Sequence, residues 1–441
     1  MTTGWRRLLT GGEADRARSV ALEVASRLVD QERVDGALRH ANAALREAGL
    51  PSRTGSLPGL GGASSSVALV CAQLDRLQPD EGWDRLGHAR LAAAVKAAER
   101  DGTPLGLYDG VAGVGYAADR LAGGRARYGG LLGSVDELVA GVVGEHRARL
   151  ARARGFPVRD WDLVSGITGL GVYLLTRRAV PSARAALDQA LATLVDLSGR
   201  ADGEPRWATP AEYLFEDMRP VAPEGNVNCG LAHGVPGPLA LMSLALLNGV
   251  EVDGQVAATR RTADWLAGRA RPGRWGPDWP AAVPLGKGPA PRCARPGWCY
   301  GNAGIARALW LSGHALRQPE LLGLAVQALR QALERQRAEG PLDSPTFCHG
   351  LAGLAQATLR IAADSGNEEL SRHARDVCLE LVERFDPEAT LGYRDVTEAS
   401  GGPRFEIDNP TVLTGAAGTA LVLLAAATDR DPGWDRAMLL S

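Results

Sequence analysis

The stretch GLAGLAQATLRIA, residues 350–362, opens on Gly-x-x-Gly and runs directly into alanine, leucine and isoleucine. The pattern recurs at GLGGASSSVALV (59–70), GVAGVGYAADRL (110–121), GITGLGVYLL (166–175), GVPGPLALMSLAL (234–246), GNAGIARALWL (301–311) and GAAGTALVLLAA (415–426). Seven copies, 49 to 68 residues apart, make an internal repeat. Most copies are followed by a more polar stretch of helical period, such as DELVAGVVGEHRARLARA (136–153), SARAALDQALATLVDLS (182–198) and LLGLAVQALRQALERQRAE (321–339). The pattern predicts an all-α chain, a ring of helical hairpins. In each hairpin the apolar helix lies inside and its amphipathic partner faces water. Glycines at the helix starts are expected to let seven segments crowd together at one end, where a Cβ would collide. No second boundary is visible, so residues 1–441 read as a single domain.

Composition narrows the function classes. The chain has 441 residues, 45% hydrophobic and 23% charged, enough apolar material for a large core and too much for disorder. Its formal charge of −2 offers no basic field for nucleic acid. Lys96 and Lys287 are its only lysines. The arginine bias reads as GC-rich coding rather than a binding patch. The opening MTTGWRRLLTGGEADRARSV lacks the apolar core of a secretory signal. No apolar run reaches the roughly 18–20 residues of a membrane span. Six cysteines in a chain of this size are too sparse for a disulfide framework, which points to a reducing, cytoplasmic setting with free thiols. Three Pro/Gly-rich connections, 201–230, 271–297 and 386–410, are long enough to be functional.

Two repeat turns carry metal-capable side chains: GWCYGNAG (297–304) and FCHGLAG (347–353). Cys299, Cys348 and His349 occupy equivalent places in consecutive repeats, so the fold can bring them together across 49 residues. Two sulfurs and one imidazole suit Zn²⁺ with a fourth position open, the catalytic pattern rather than the closed structural one. The bland alternative is buried thiols beside a hydrogen-bonded core histidine. Cys71 and Cys378 lie on apolar helical faces and read as core residues. Cys229 and Cys293 could approach the site, though nothing requires it.

GLAHGVPG (230–237), WCYGNAG (298–304) and CHGLAG (348–353), in that order, resemble the three signature segments of the lanthionine synthetase C-like family, the cyclases of lanthipeptide biosynthesis. With the sevenfold repeat, the resemblance covers nearly the whole chain. It implies an α/α toroid, a double ring of seven inner and seven outer helices. It also implies that Cys299, Cys348 and His349 bind zinc, that His233 is the acid/base histidine, and that Asp162, Arg295 and Tyr300 complete the active site. Read on their own, His233 and Asp162 could each simply cap a helix, Arg295 could be a solvated loop residue, and Tyr300 could merely pack beside the metal. Ala303 stands where the family often has proline, a change in a turn and not in a ligand. Family members can carry a small inserted domain, for which no candidate is legible here.

The implied reaction adds a cysteine thiol of a precursor peptide to a dehydroalanine or dehydrobutyrine in the same peptide, forming a thioether ring. The implied partners are that dehydrated precursor, a dehydratase acting first, and a transporter that can hold the assembly at a membrane without insertion. Three rivals stay open. One is prenyl transfer on a similar toroid, whose usual ligand set includes an aspartate. The second is a non-catalytic peptide-binding scaffold. The third is addition of a small thiol of the glutathione type to dehydrated residues.

Overall fold

The computed structural model describes residues 5–50, 55–100, 102–152, 155–201, 204–214, 216–286, 292–398 and 404–441. Lys287, Ala153, the first four residues of the N-terminal segment, and parts of the three long connections (202–203, 215, 287–291 and 399–403) lie outside them.

Seven helices start at the repeated glycine turns: α3 (Ala63–Leu77), α5 (Val111–Ala122), α7 (Ile167–Thr176), α9 (Pro236–Leu247), α11 (Asn302–Leu316), α13 (Leu351–Ser365) and α15 (Ala416–Ala427). The other α-helices among the described residues are α1 (Gly11–Val29), α2 (Gln31–Glu47), α4 (Trp83–Ala98), α6 (Gly129–Arg152), α8 (Pro181–Leu197), α10 (Gln255–Ala267), α12 (Pro319–Glu339) and α14 (Glu368–Glu383). The expected division into two kinds is present. Every residue of α15, AAGTALVLLAAA, is buried. In α14 only Leu370, Ala374, Val377, Cys378 and Leu381 are buried, a single stripe of helical period. Helix α6 begins earlier than its polar pattern suggested, because Gly129–Val135 are apolar or small and do not announce an amphipathic helix.

The described residues group into two compact units. The first takes residues 1–104, 108–132 and 340–435; the second takes 105–107, 133–339 and 436–441. In the second unit α7 packs on α8, α9 on α10 and α11 on α12, each apolar helix with the amphipathic one next in sequence. In the first, α3 packs on α4 and α13 on α14. Helix α15 has no helix of this kind after it and takes its amphipathic partner, α1, from the other end of the sequence. Helix α2 instead lies against the hairpin Arg394–Glu398/Arg404–Asp408, where its Ala41 and Leu45 cluster with Ile407.

The glycines have a reason more local than crowding between repeats. An α-helix starts with N–H groups that lack intrahelical partners. Helices α2 and α14 meet this need with side chains, Asp30 on the Arg33 N–H at 3.1 Å and Asn367 on the Leu370 N–H at 3.0 Å. The seven apolar helices have no side-chain cap. In five of the turns a backbone carbonyl seven residues back does the work. Val111 donates to Pro104, Thr168 to Trp161, Val235 to Asn228, Leu351 to Ser344 and Ala416 to Asn409, at 2.8–3.3 Å. That carbonyl lies over the helix start, so a Cβ at Gly234, Gly350 or Gly415 would overlap it. Crowding between repeats, as expected from the sequence, does occur at Gly59 and Gly230. A Cβ on Gly59 would stand 2.7 Å from the Gly110 nitrogen, and one on Gly230 would stand 2.5 Å from the Cys299 carbonyl.

Successive turns are also stitched to one another within each unit. In the second, Leu163 donates to Ala232 and Ala232 to Cys299; in the first, Cys348 donates to Leu413 and Gly61 to Tyr108. The first two long connections meet there in a three-stranded antiparallel sheet of Thr209–Pro210, Gly225–Asn228 and Ala282–Pro284, with Asn228 opposite Ala282. Among the described residues no helix is long and apolar enough to cross a membrane.

If burial of the apolar helices carries the stability, Leu423→Ala, fully buried in α15, should cost about 2–5 kcal/mol in denaturant unfolding. Leu138→Ala, at a residue 51% exposed, should stay within about 0.5 kcal/mol of the parent.

Candidate active site and metal ligands

The loop 158–166 places Asp162, whose side chain is 1% exposed. Its Oδ1 accepts the N–H groups of Ser165 (2.8 Å) and Gly166 (3.0 Å), tying down the turn that enters α7. Its Oδ2 stands 2.6 Å from His233 Nδ1. One oxygen of the carboxylate ties down the turn ahead of α7 without capping the helix itself, and the other meets the histidine.

His233 sits one residue before Gly234 and Tyr300 one before Gly301, each on the turn that precedes its helix. Their rings lie 6.4 Å apart, centre to centre. The Tyr300 hydroxyl accepts from Asn228 Nδ2 at 3.0 Å, and Asn228 Oδ1 accepts the Gly230 N–H at 2.8 Å. Gly230 lets the ring approach, since a Cβ there would stand 2.6 Å from Tyr300 Cδ1. Cys299 is buried beside them, its carbonyl accepting the Ala232 N–H. Arg295 is exposed on the same loop, and its carbonyl folds over Gly301. The φ of +108° at Gly301 is a backbone conformation that favours glycine. Asp162, His233, Arg295, Cys299 and Tyr300 all belong to the second unit.

Burial alone lowers the His233 imidazole. The hydrogen bond and charge of Asp162, and then the Cys299 sulfur, outweigh it and hold the ring above its ordinary value of 6.5. The carboxylate fixes Nδ1 as the protonated nitrogen, so Nε2 is where the neutral ring exchanges a proton. Water reaches 38% of the side chain and screens part of the pair.

Cys348 and His349 belong to the first unit, on the turn that enters α13. Both are half-buried, and the Cys348 N–H is held by the Leu413 carbonyl at 2.7 Å. His349 Nε2 lies 3.1 Å from Oδ1 of Asp395, a buried residue of the hairpin strand Arg394–Glu398. The three expected zinc ligands are therefore not all carried by one unit. Within either unit, among the described residues, no three His, Cys, Asp or Glu side chains gather into a metal-binding cluster. The donor chemistry does suit zinc. Neither cysteine is tied up in a disulfide, and a carboxylate behind the outer nitrogen is the usual support of a metal-bound histidine.

The other cysteines match their bland reading. Burial pushes the Cys71, Cys229 and Cys378 thiols up to about 12, so they are inert. Burial and then Asp278 also raise Cys293, which is half-buried. Sequence reasoning missed two residues, Asn228 and Asp395. Asn228 had a faint signal, six residues before a turn glycine. Asp395 had none, being one acidic residue in an irregular loop.

Comparison with known proteins gives concordant findings. A family model described as lanthionine synthetase C-like protein matches residues 60–439. The nisin biosynthesis protein NisC of Lactococcus lactis subsp. lactis is 24% identical over 267 residues, which cover 57% of this chain and 60% of that relative. The chain thus spans less than two thirds of that curated relative's length. A solved structure titled nisin cyclase superposes with a TM-score of 0.72 at 18% identity, covering 93% of this chain and 98% of the other. That likeness is one of fold and puts the chain in the all-α, α/α-toroid class.

Replacing Asp162 tests the electrostatics directly. Asp162→Asn removes the leading upward influences on His233, so its titration midpoint by NMR should fall below that of the parent. In the parent, the raised folded value means the pair stabilises most below the ordinary histidine range, and the contribution fades as pH rises through the folded value.

Proposed function

The chain belongs to the lanthionine synthetase C-like family, and we propose that it is a zinc-dependent lanthipeptide cyclase. Its substrate would be a precursor peptide whose serines or threonines have already been dehydrated, so a dehydratase acts before it. A transporter is a further candidate partner. The observation that carries the reading is the buried Asp162 carboxylate gripping His233 Nδ1 in the unit that also holds Cys299 and Tyr300. A helix cap needs no such imidazole, whereas a proton-transfer site does.

Cys299, Cys348 and His349 are the residues that would hold the ion. Zn²⁺, when bound, keeps a substrate thiol as its thiolate, where a free thiol of pKa about 8.5 is mostly protonated. The two cysteine sulfurs offset the charge of a divalent ion, which leaves an incoming sulfur electron-rich. This favours alkylation of sulfur over the hydrolysis that His and carboxylate sets support.

Addition forms a carbon–sulfur bond at the β-carbon of the dehydro residue as its carbon–carbon double bond opens. The electron pair moves onto the neighbouring carbonyl as an enolate, and the α-carbon then takes a proton. The proton lost from the thiol balances the one gained, so mass is unchanged. His233 Nε2 is the group for the proton transfer, with Asp162 fixing its tautomer. The Arg295 guanidinium supplies positive charge for the enolate oxygen. Tyr300, held at its hydroxyl by Asn228, walls the site beside His233.

Cys299→Ala and His349→Ala should each lose zinc and ring formation together. His233→Ala should keep zinc and lose about 10²–10⁴-fold in turnover. Metal analysis reads the first. Mass spectrometry after thiol alkylation reads the second, since a ring removes a free thiol without changing mass. A dehydrated peptide that binds and never gains a ring would show a scaffold instead.

A further inference from the structure

Asp395 is 3% exposed, and two hydroxyls and an imidazole reach it. Its Oδ1 lies 2.7 Å from Ser344 Oγ, 2.9 Å from Thr346 Oγ1 and 3.1 Å from His349 Nε2. No arginine or lysine among the described residues pairs with it. A carboxylate this deeply buried is costly unless its charge is met. The two hydroxyls supply dipoles, and of these three groups only the imidazole can pass on positive charge.

The surroundings allow this carboxylate little freedom. Ser344 and Thr346 are fully buried and precede His349 on the same turn. The Ser344 carbonyl caps α13 through Leu351, and its hydroxyl also accepts the N–H groups of Thr346 (3.3 Å) and Val396 (3.5 Å). The strand bearing Asp395 pairs with Arg404–Asp408, whose Ile407 packs on Ala41 and Leu45 of α2. Turn, strand and helix thus converge on one oxygen that faces one imidazole nitrogen.

We infer that Asp395 is the positioning residue of the zinc set: it accepts a hydrogen bond from the Nε2–H of His349, which keeps the proton on Nε2 and the lone pair on Nδ1, so that Nδ1 is the metal-binding atom. Ser344 and Thr346 hold the carboxylate in place for that task. The inference rests on the zinc reading above and deepens it. It concerns affinity and tautomer, and Asp395 itself touches neither metal nor substrate. A purely structural Asp–His ion pair would need the ring protonated on both nitrogens and would give zinc nothing.

The test uses the full chain and zinc itself. Asp395→Asn should fold as the parent does and bind zinc about 10- to 100-fold more weakly in chelator competition. Thr346→Val, which keeps the carboxylate and removes one of its donors, should weaken zinc by a smaller factor in the same direction. In the zinc-loaded parent with ¹⁵N-labelled histidine, His349 should show a protonated Nε2 and a metal-bound Nδ1, a readout that needs no variant. Asp395→Asn with zinc affinity within twofold of the parent, or a metal-bound Nε2, overturns the inference and leaves the zinc reading standing. A parent chain that binds no zinc at all would fail that reading instead.

Discussion

A backbone carbonyl lying over the first turn of a helix is the constraint on which this structure depends. Apolar helices buried all round have no room for the solvated serine or aspartate that caps an ordinary surface helix. In five of the seven turns the chain folds back so that a carbonyl seven residues upstream meets an N–H at the helix start. At Gly234, Gly350 and Gly415 a Cβ would strike that carbonyl. One consequence is functional. The two residues before a turn glycine stand at the mouth of a buried helix, and the proposed site residues fall there: Ala232-His233, Cys299-Tyr300 and Cys348-His349. On the proposed reading, the repeated glycine turn doubles as a repeated scaffold for reactive side chains.

On the proposed reading the two histidines are used in opposite senses, and a buried carboxylate decides each. Asp162 engages Nδ1 of His233, which leaves Nε2 for proton exchange. Asp395 faces Nε2 of His349, which leaves Nδ1 for a metal. In each case the carboxylate is itself fixed, by two N–H groups for Asp162 and by two hydroxyls for Asp395. Imidazole has two nearly equivalent nitrogens, so a site that needs acid–base chemistry at one ring and ligation at another must impose the tautomers from outside.

The sequence makes some of this legible. The seven glycine turns, the contrast between apolar and amphipathic helices, and the pairing of most apolar helices with their amphipathic successors are all local patterns. So are His233, Tyr300, Cys299, Cys348 and His349, each fixed in register by its glycine. Other features depend on long-range geometry. Helix α1 serving α15 joins residues about 400 positions apart, and nothing in either segment announces the other. Asp395 reaches His349 from a hairpin 46 residues later, and Asn228 finds Tyr300 across 72. The glycine periodicity was visible while its cause was not, because a main-chain cap leaves no mark on the side chains that provide it.

X-ray absorption at the zinc edge of the freshly purified 441-residue chain is the most direct test of the central claim. The account predicts about one zinc per chain with two sulfur neighbours near ~2.3 Å and at least one nitrogen near ~2.0 Å. A further sulfur should enter the shell when a dehydrated, cysteine-bearing peptide is added. A chain without zinc, or a zinc shell with no sulfur in it, would contradict the account.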